Sequence, residues 1–150
     1  MTSFGPEMDD PQTIRIVAAV VVNDAGDTLL VRKQGTVAFM QPGGKVQGGE
    51  NSLLTLQREI LEELGCAVES TSCRSLGVFS APAANEPGWT VEAELFAATL
   101  IGDVQPSAEI EEAIWFDPDA GSNIELAPLT RAHALPLARG LKRRDKWVQQ

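Results

Sequence analysis

The chain has two cysteines, one histidine and no tyrosine among its 150 residues. Cys66 and Cys73 are too few for a disulfide framework, and no CxxC or His/Cys cluster offers a zinc site. The lone His133 falls on an expected C-terminal helix and reads as structural. No apolar run approaches the roughly 20 residues needed to cross a bilayer. The start, MTSFGPEMDDPQ, lacks the basic-then-apolar order of a secretory signal. A cytoplasmic location with no membrane partner is therefore expected. Bases are scarce as well: 12 Lys and Arg face 21 Asp and Glu, a net charge of −9. That balance argues against a nucleic-acid polymer as partner, since phosphate backbones demand basic surface. Six of the bases lie from Arg131 onward, where Asp145 is the single acid, so the first 130 residues carry 20 acids and 6 bases. The basic end reads as a solvated helix. An acidic protein still accepts a small anion where a bound cation inverts the local field.

What is present suits one domain over residues 13–150, preceded by a loose arm over 1–12, with 43% hydrophobic residues for its core. Ile14 to Val22 is nearly all apolar and β-branched, the pattern of a buried central strand. Asn23 to Asp27 is turn chemistry, and Thr28 to Arg32 returns as a second strand, predicting a hairpin. Val37 to Gln41 reads as a short strand entering a glycine-rich loop through Pro42. A helix follows from about Asn51 to Leu64, with Asn51 or Glu50 at its start and Gly65 as its stop. Strands are expected at 75–80, 90–100 and 113–116, with loops at 81–88 and 102–109. Residues 129–145 read as helical, kinked or restarted at Pro136. Helices among mixed strands indicate an α/β or α+β fold.

The chemistry concentrates in GKVQGGENSLLTLQREILEELGC, residues 44–66. At about 100° per residue, Glu59, Glu62 and Glu63 fall within roughly 100° of arc. Leu53, Leu56, Ile60 and Leu64, flanked by Leu54 and Leu61, take the opposite face. Like charges at these spacings repel, and a cation placed among them relieves the cost; hard oxygen ligands suit Mg²⁺ or Mn²⁺. Gly43, Gly44, Gly48 and Gly49 imply a close backbone approach beside them. Gly44, five residues, Glu50, seven residues, then Arg58-Glu59-Ile60-x-Glu62-Glu63-x-Gly65-Cys66 resembles the signature box of the Nudix hydrolases. Cys66 is the departure, standing where the family has an aliphatic residue; a buried thiol fills that role.

The resemblance implies an α/β/α sandwich around a mixed β-sheet and a metal-dependent hydrolysis of phosphoanhydrides. It implies Glu59 and Glu63, then Glu62, as metal ligands, helped by the backbone carbonyl of Gly43. Arg58 offers a fork able to hold a neighbouring carboxylate, and Glu50 joins that shell through water or through Arg58. The general base is expected from a box glutamate or from Glu109, with Glu111 and Glu112 as competitors. For the substrate, Arg32 and Lys33 are candidates for distal phosphates. Gly44 brings backbone close, while Phe39, Gln41 and Trp89 are candidates to stack on or bond to a base. Trp115 and Phe116 are assigned to the core. The expected activity is a MutT-type pyrophosphatase of nucleoside triphosphates. The alternatives are hydrolysis of ADP-ribose or dinucleoside polyphosphates, a silent nucleotide-sensing module, or metal-dependent isomerisation. The expected partner is a small nucleotide; a homodimer fits the family as well as a monomer does.

Overall fold

The apolar run near the start forms β1 (Thr13–Val20), and its alternation sends side chains to two different interiors. This computed structural model describes residues 12–120 and 123–149; the arm expected at 1–12 lies, but for residue 12, outside them. The remaining strands are β2 (Thr28–Lys33), β3 (Gly43–Lys45), β4 (Ala67–Val68), β5 (Arg74–Pro82), β6 (Thr90–Ala97), β7 (Leu100–Ile101) and β8 (Ile110–Phe116). Helix α1 spans Ser52–Leu64 and α2 spans Leu135–Gln149. A four-stranded sheet runs β3-β1-β6-β5. Its β1–β6 pair is parallel and the others are antiparallel, so the sheet is mixed.

Val17, Ala19 and Val21 pack with Leu56, Ile60 and Leu64 of α1 on one face. Ala18 and Val20 pack on the other face with Leu129, Ala134 and Ala138, the last on α2. The fold is thus mixed α+β, with a helix on each side of the sheet. Burying each of the three α1 side chains contributes about 1.5–3 kcal/mol. Pro136 lies just inside α2, after a π-helical turn at Thr130–Ala134 that interrupts the regular ladder, as the sequence suggested.

Several expectations need correction. The expected β1–β2 hairpin is reduced to its base, the Val22–Thr28 bridge with Leu29 N donating to the Val21 carbonyl at 3.0 Å; beyond it β2 pairs with β8, about 80 residues away. The Asn23–Asp27 turn is present, but it redirects the chain into a separate two-stranded sheet. The glycine segment is partly a strand, β3, laid against β1. Val37 to Gln41 holds only isolated bridges, Met40 to Val31 and Phe39 to Leu126. Trp115 is 41% exposed rather than in the core, because β8 presents alternate residues outward; Phe116 packs in a third cluster. Leu54 and Leu61 are exposed as well. Of the basic end, Arg139 and Lys142 are ion-paired to Asp119, and Lys142 also to Asp117. No helix among the described residues is long and apolar enough to cross a membrane.

Candidate active site

Three segments build the site: β3, the buried edge of α1, and the loop into β8. Asn51 caps α1, its side-chain oxygen accepting from Leu54 N at 2.9 Å, and Gly65 ends it with φ +68°. This framed helix carries Arg58, whose fork grips Glu50 at 2.6 and 3.0 Å. The same guanidinium donates to Glu59 at 2.7 Å and to the Lys45 carbonyl at 3.1 Å, tying α1 to the glycine segment. Its bond to Glu50 holds that carboxyl at about 2, well below the usual range. Glu50 therefore reaches the site through Arg58. Glu62 is 3.7 Å from Arg58 and more than half exposed.

The glycines have separate jobs. A Cβ on Gly44 would collide with the Glu59 carboxyl, whereas one on Gly43 would strike the β1 backbone at Val17 and Ala18. Gly44 thus leaves room for a carboxylate and Gly43 for strand packing. Glu63 is buried and accepts from the Gly43 N–H at 3.2 Å. Burial, then the Glu59 charge, pushes its carboxyl up to about 8.

The loop before β8 is strapped over the end of α1. Gln105 and Ser107 N–H groups donate to the Leu64 and Glu63 carbonyls, and Ser107 Oγ donates to that of Glu62. These partners satisfy carbonyls that a helix terminus leaves open. Ala108 then takes φ +55°, a costly conformation for a residue with a Cβ, and Glu109 follows it. A register shift opposite Arg32 and Lys33 skips Glu111 in the ladder, so Lys33 faces Ile110. Glu112 is instead ion-paired to Arg32. Among the three acids considered for this loop, Glu109 is the one that lines the cleft.

That cleft measures about 420 Å³. Its polar part includes Gly43, Gly44, Glu59, Glu63, Lys33 and Glu109, with Lys33 Nζ 3.9 Å from the Glu109 carboxylate. Its apolar part includes Ile14, Ile16 and Val91. Gln41 also lines it, only 6% exposed, with Oε1 accepting from Thr130 Oγ1 at 2.9 Å. Arg32, Phe39 and Trp89 do not line it. Arg32 is engaged by Glu112 and the Thr36 carbonyl and lies over Phe39, which is buried against Leu30 and Leu126. Trp89 is partly exposed, beside the 83–86 turn. That turn contributes Asn85 and Glu86 to the cleft, residues not singled out from sequence. The proline-rich loop signal located the segment without saying which side chains face inward.

Among the described residues, no three acidic, histidine or cysteine side chains already converge as a metal cage. The donor set nevertheless suits a hard cation. Glu59 and Glu63 are two carboxyl groups on one wall, and burial beside Glu59 keeps the Glu63 carboxyl protonated, a group that a bound cation would ionise. Mg²⁺ keeps several waters and needs only one or two carboxylates.

The NUDIX domain family pattern matches residues 12–138. The chain belongs to the Nudix family. It is a Nudix pyrophosphohydrolase; the family acts on small nucleoside diphosphate derivatives and generally uses divalent metal ions. A MutT Nudix hydrolase from Burkholderia pseudomallei is 27% identical, with TM-score 0.67, over 86% of this chain and 97% of that one. A UDP-X diphosphatase is 22% identical, TM-score 0.70, over 95% of this chain and 68% of the other. An ADP-ribose pyrophosphatase from Streptococcus suis is 23% identical, TM-score 0.65, over 86% and 91%. The last two likenesses concern the Nudix fold alone. No curated protein matches the chain.

Proposed function

We propose that this Nudix hydrolase is a Mg²⁺- or Mn²⁺-dependent pyrophosphatase of nucleoside triphosphates, of the MutT type. The observation that carries the reading is the cleft that joins Glu59 and Glu63 to an apolar compartment. A triphosphate belongs at the first and a base at the second. The MutT hydrolase similar over almost its whole length supports that choice. Glu59 and Glu63 are the principal metal ligands, with Glu62 and the Gly43 carbonyl completing the set. When bound, the cation supplies a more acidic water and neutralises charge on the phosphoryl oxygens. Arg58 holds Glu59 in place through its 2.7 Å bond. Glu109 accepts the proton of the attacking water, and Lys33 beside it meets the phosphates. Arg32 and Phe39, engaged with one another, support the strand that presents Lys33. Gly44 brings backbone to the substrate phosphates, and Trp89 flanks the base side.

The test is release of phosphate or pyrophosphate from nucleoside triphosphates, oxidised dGTP, ADP-ribose and diadenosine polyphosphates, with and without Mg²⁺. Triphosphate turnover is expected to dominate, and Glu63→Gln to cut it by about 10²-fold or more with the fold intact. Preferred cleavage of ADP-ribose would move the assignment to that substrate. Tight binding without turnover of any substrate would make the protein a sensor.

A further inference from the structure

Lys33 and Glu109 meet in the cleft across an irregularity in the β2–β8 ladder. Leu29 and Val31 point to one interior, and Lys33 takes the next alternating position on that face. Residues opposite one another in an antiparallel pair share a face, so a regular ladder would set Glu111 across from Lys33. Instead Arg32 stands opposite Glu112 and Lys33 opposite Ile110, leaving Glu111 as the extra, exposed residue. Ile110 then enters the core at 3% exposure, and Glu109 just before it lines the cleft.

Arg32 fastens this bulge from the other face of β2. Its Nε and Nη2 both donate to one oxygen of Glu112, at 3.1 and 3.0 Å. Its Nη1 donates to the Thr36 carbonyl at 2.7 Å. Thr36 in turn donates from N and Oγ1 to the Lys33 carbonyl, at 3.1 and 2.8 Å. The Gln34 N–H closes the ring by donating to the Glu109 carbonyl at 2.8 Å. An exposed ion pair contributes little, but the Arg32 side chain is only 23% exposed and lies over the Phe39 ring. Its planar fork holds β8 and the 34–36 turn in fixed directions at once.

We propose that the Arg32–Glu112 pair is a clamp that positions Lys33 and Glu109 for the hydrolysis. This inference rests on the reading above, with Glu109 as base, and deepens it. Arg32 and Glu112 line no part of the cleft, so both are positioning residues. Their effect is geometric: a catalytic group misplaced by about 1 Å can cost about 10²-fold in rate.

Steady-state hydrolysis of nucleoside triphosphates in Mg²⁺ tests the clamp with Arg32→Met, Glu112→Ala and the double variant. Glu112 is 45% exposed, so its truncation leaves the fold intact. Each single change is expected to lower kcat by about tenfold, with KM moving less. The double variant is no worse than either, because all three lose the same bond. Glu112→Gln keeps an oxygen for both N–H groups and retains most of the rate. In the Glu112→Ala background, Glu109→Gln costs less than in the native protein, since the base is already out of place. A merely structural pair would lower melting temperature and leave kcat unchanged. Native kcat in Glu112→Ala therefore overturns the proposal. So does a rise in KM confined to Arg32→Met, the mark of a direct phosphate contact. Hydrogen exchange of the Gln34 amide in metal-free protein reads the clamp without any turnover. Glu112→Ala is expected to speed that exchange by about tenfold, and an unchanged rate overturns the proposal. Faster exchange in a protein that hydrolyses no nucleotide sinks the proposed reaction and upholds the positioning.

Discussion

Glu63 combines burial with a neighbouring negative charge, so its carboxyl holds a proton to about pH 8 in the folded protein without metal. An unfolded glutamate releases that proton near 4.5. The folded state therefore binds the extra proton between those values. Its stabilising contribution is complete below 4.5 and is lost as pH rises through 8. Metal-free protein should lose stability over that window by on the order of a few kcal/mol, and Glu63→Gln should flatten the loss. Denaturant melts at pH 5 and 8 check this; equal slopes for both proteins would contradict the assignment. With Glu63 as the proposed ligand, Mg²⁺ displaces the same proton, so its affinity should climb over the same pH range. The glycines make a second contrast. Gly44→Ala places a methyl against the Glu59 carboxyl and Gly43→Ala places one against β1. We expect Gly44→Ala to weaken Mg²⁺ binding and turnover by about tenfold or more with melting nearly unchanged. Gly43→Ala should cost about 1–3 kcal/mol of stability. Paired calorimetric and thermal measurements separate the two.

Helix α1 shows how a pattern becomes a gradient. Setting Glu59 at 0°, the fully buried Leu56, Ile60 and Leu64 centre near 100°. Glu63 sits at about 40°, at the border of that stripe, while Glu62 is near −60° and faces solvent. Leu54 and Leu61 fall near 200–220°, which explains their exposure. The spacing revealed three clustered acids; which acid is buried depended on where the sheet lies. The strap before β8 is the other decisive element. Ser107 holds two α1 carbonyls and Ala108 accepts a left-handed backbone, delivering Glu109 to the cleft. Ser107→Ala should lower kcat by roughly tenfold with KM little changed, because Glu109, the proposed base, is displaced rather than the substrate. A kcat equal to the native value would show that the strap does not position Glu109. Sequence marked this acid by its loop position, whereas the bulge that separates it from Glu111 had no local signature.

Across the molecule, β1 serves two interiors, and the cleft joins residues drawn from both sides of the sheet. Glu59 and Glu63 come from α1, while Ile16 and Val91 pack toward the C-terminal helical segment. A single cation bridging into this assembly should therefore stabilise the whole fold. At Mg²⁺ about 100-fold above its dissociation constant, the gain should be about 2.7 kcal/mol, read as a raised melting temperature. The shift should vanish in Glu63→Gln. A gain independent of Glu63 would place the cation elsewhere.

The order of residues along the chain was enough to identify the helix with its cap and stop, the central apolar strand and the family of the hydrolase. Those features are local, written in periodicity and fixed spacing. Long-range pairing was not: β2's union with β8 overrode a strong hairpin signal, because a neighbouring turn restricts direction but not partner. The same holds for Arg32 and Phe39, drawn into a mutual contact, and for Gln41, whose orientation depends on Thr130 from 89 positions later. Contacts over such separations arise from packing of whole layers, and no window of sequence contains them.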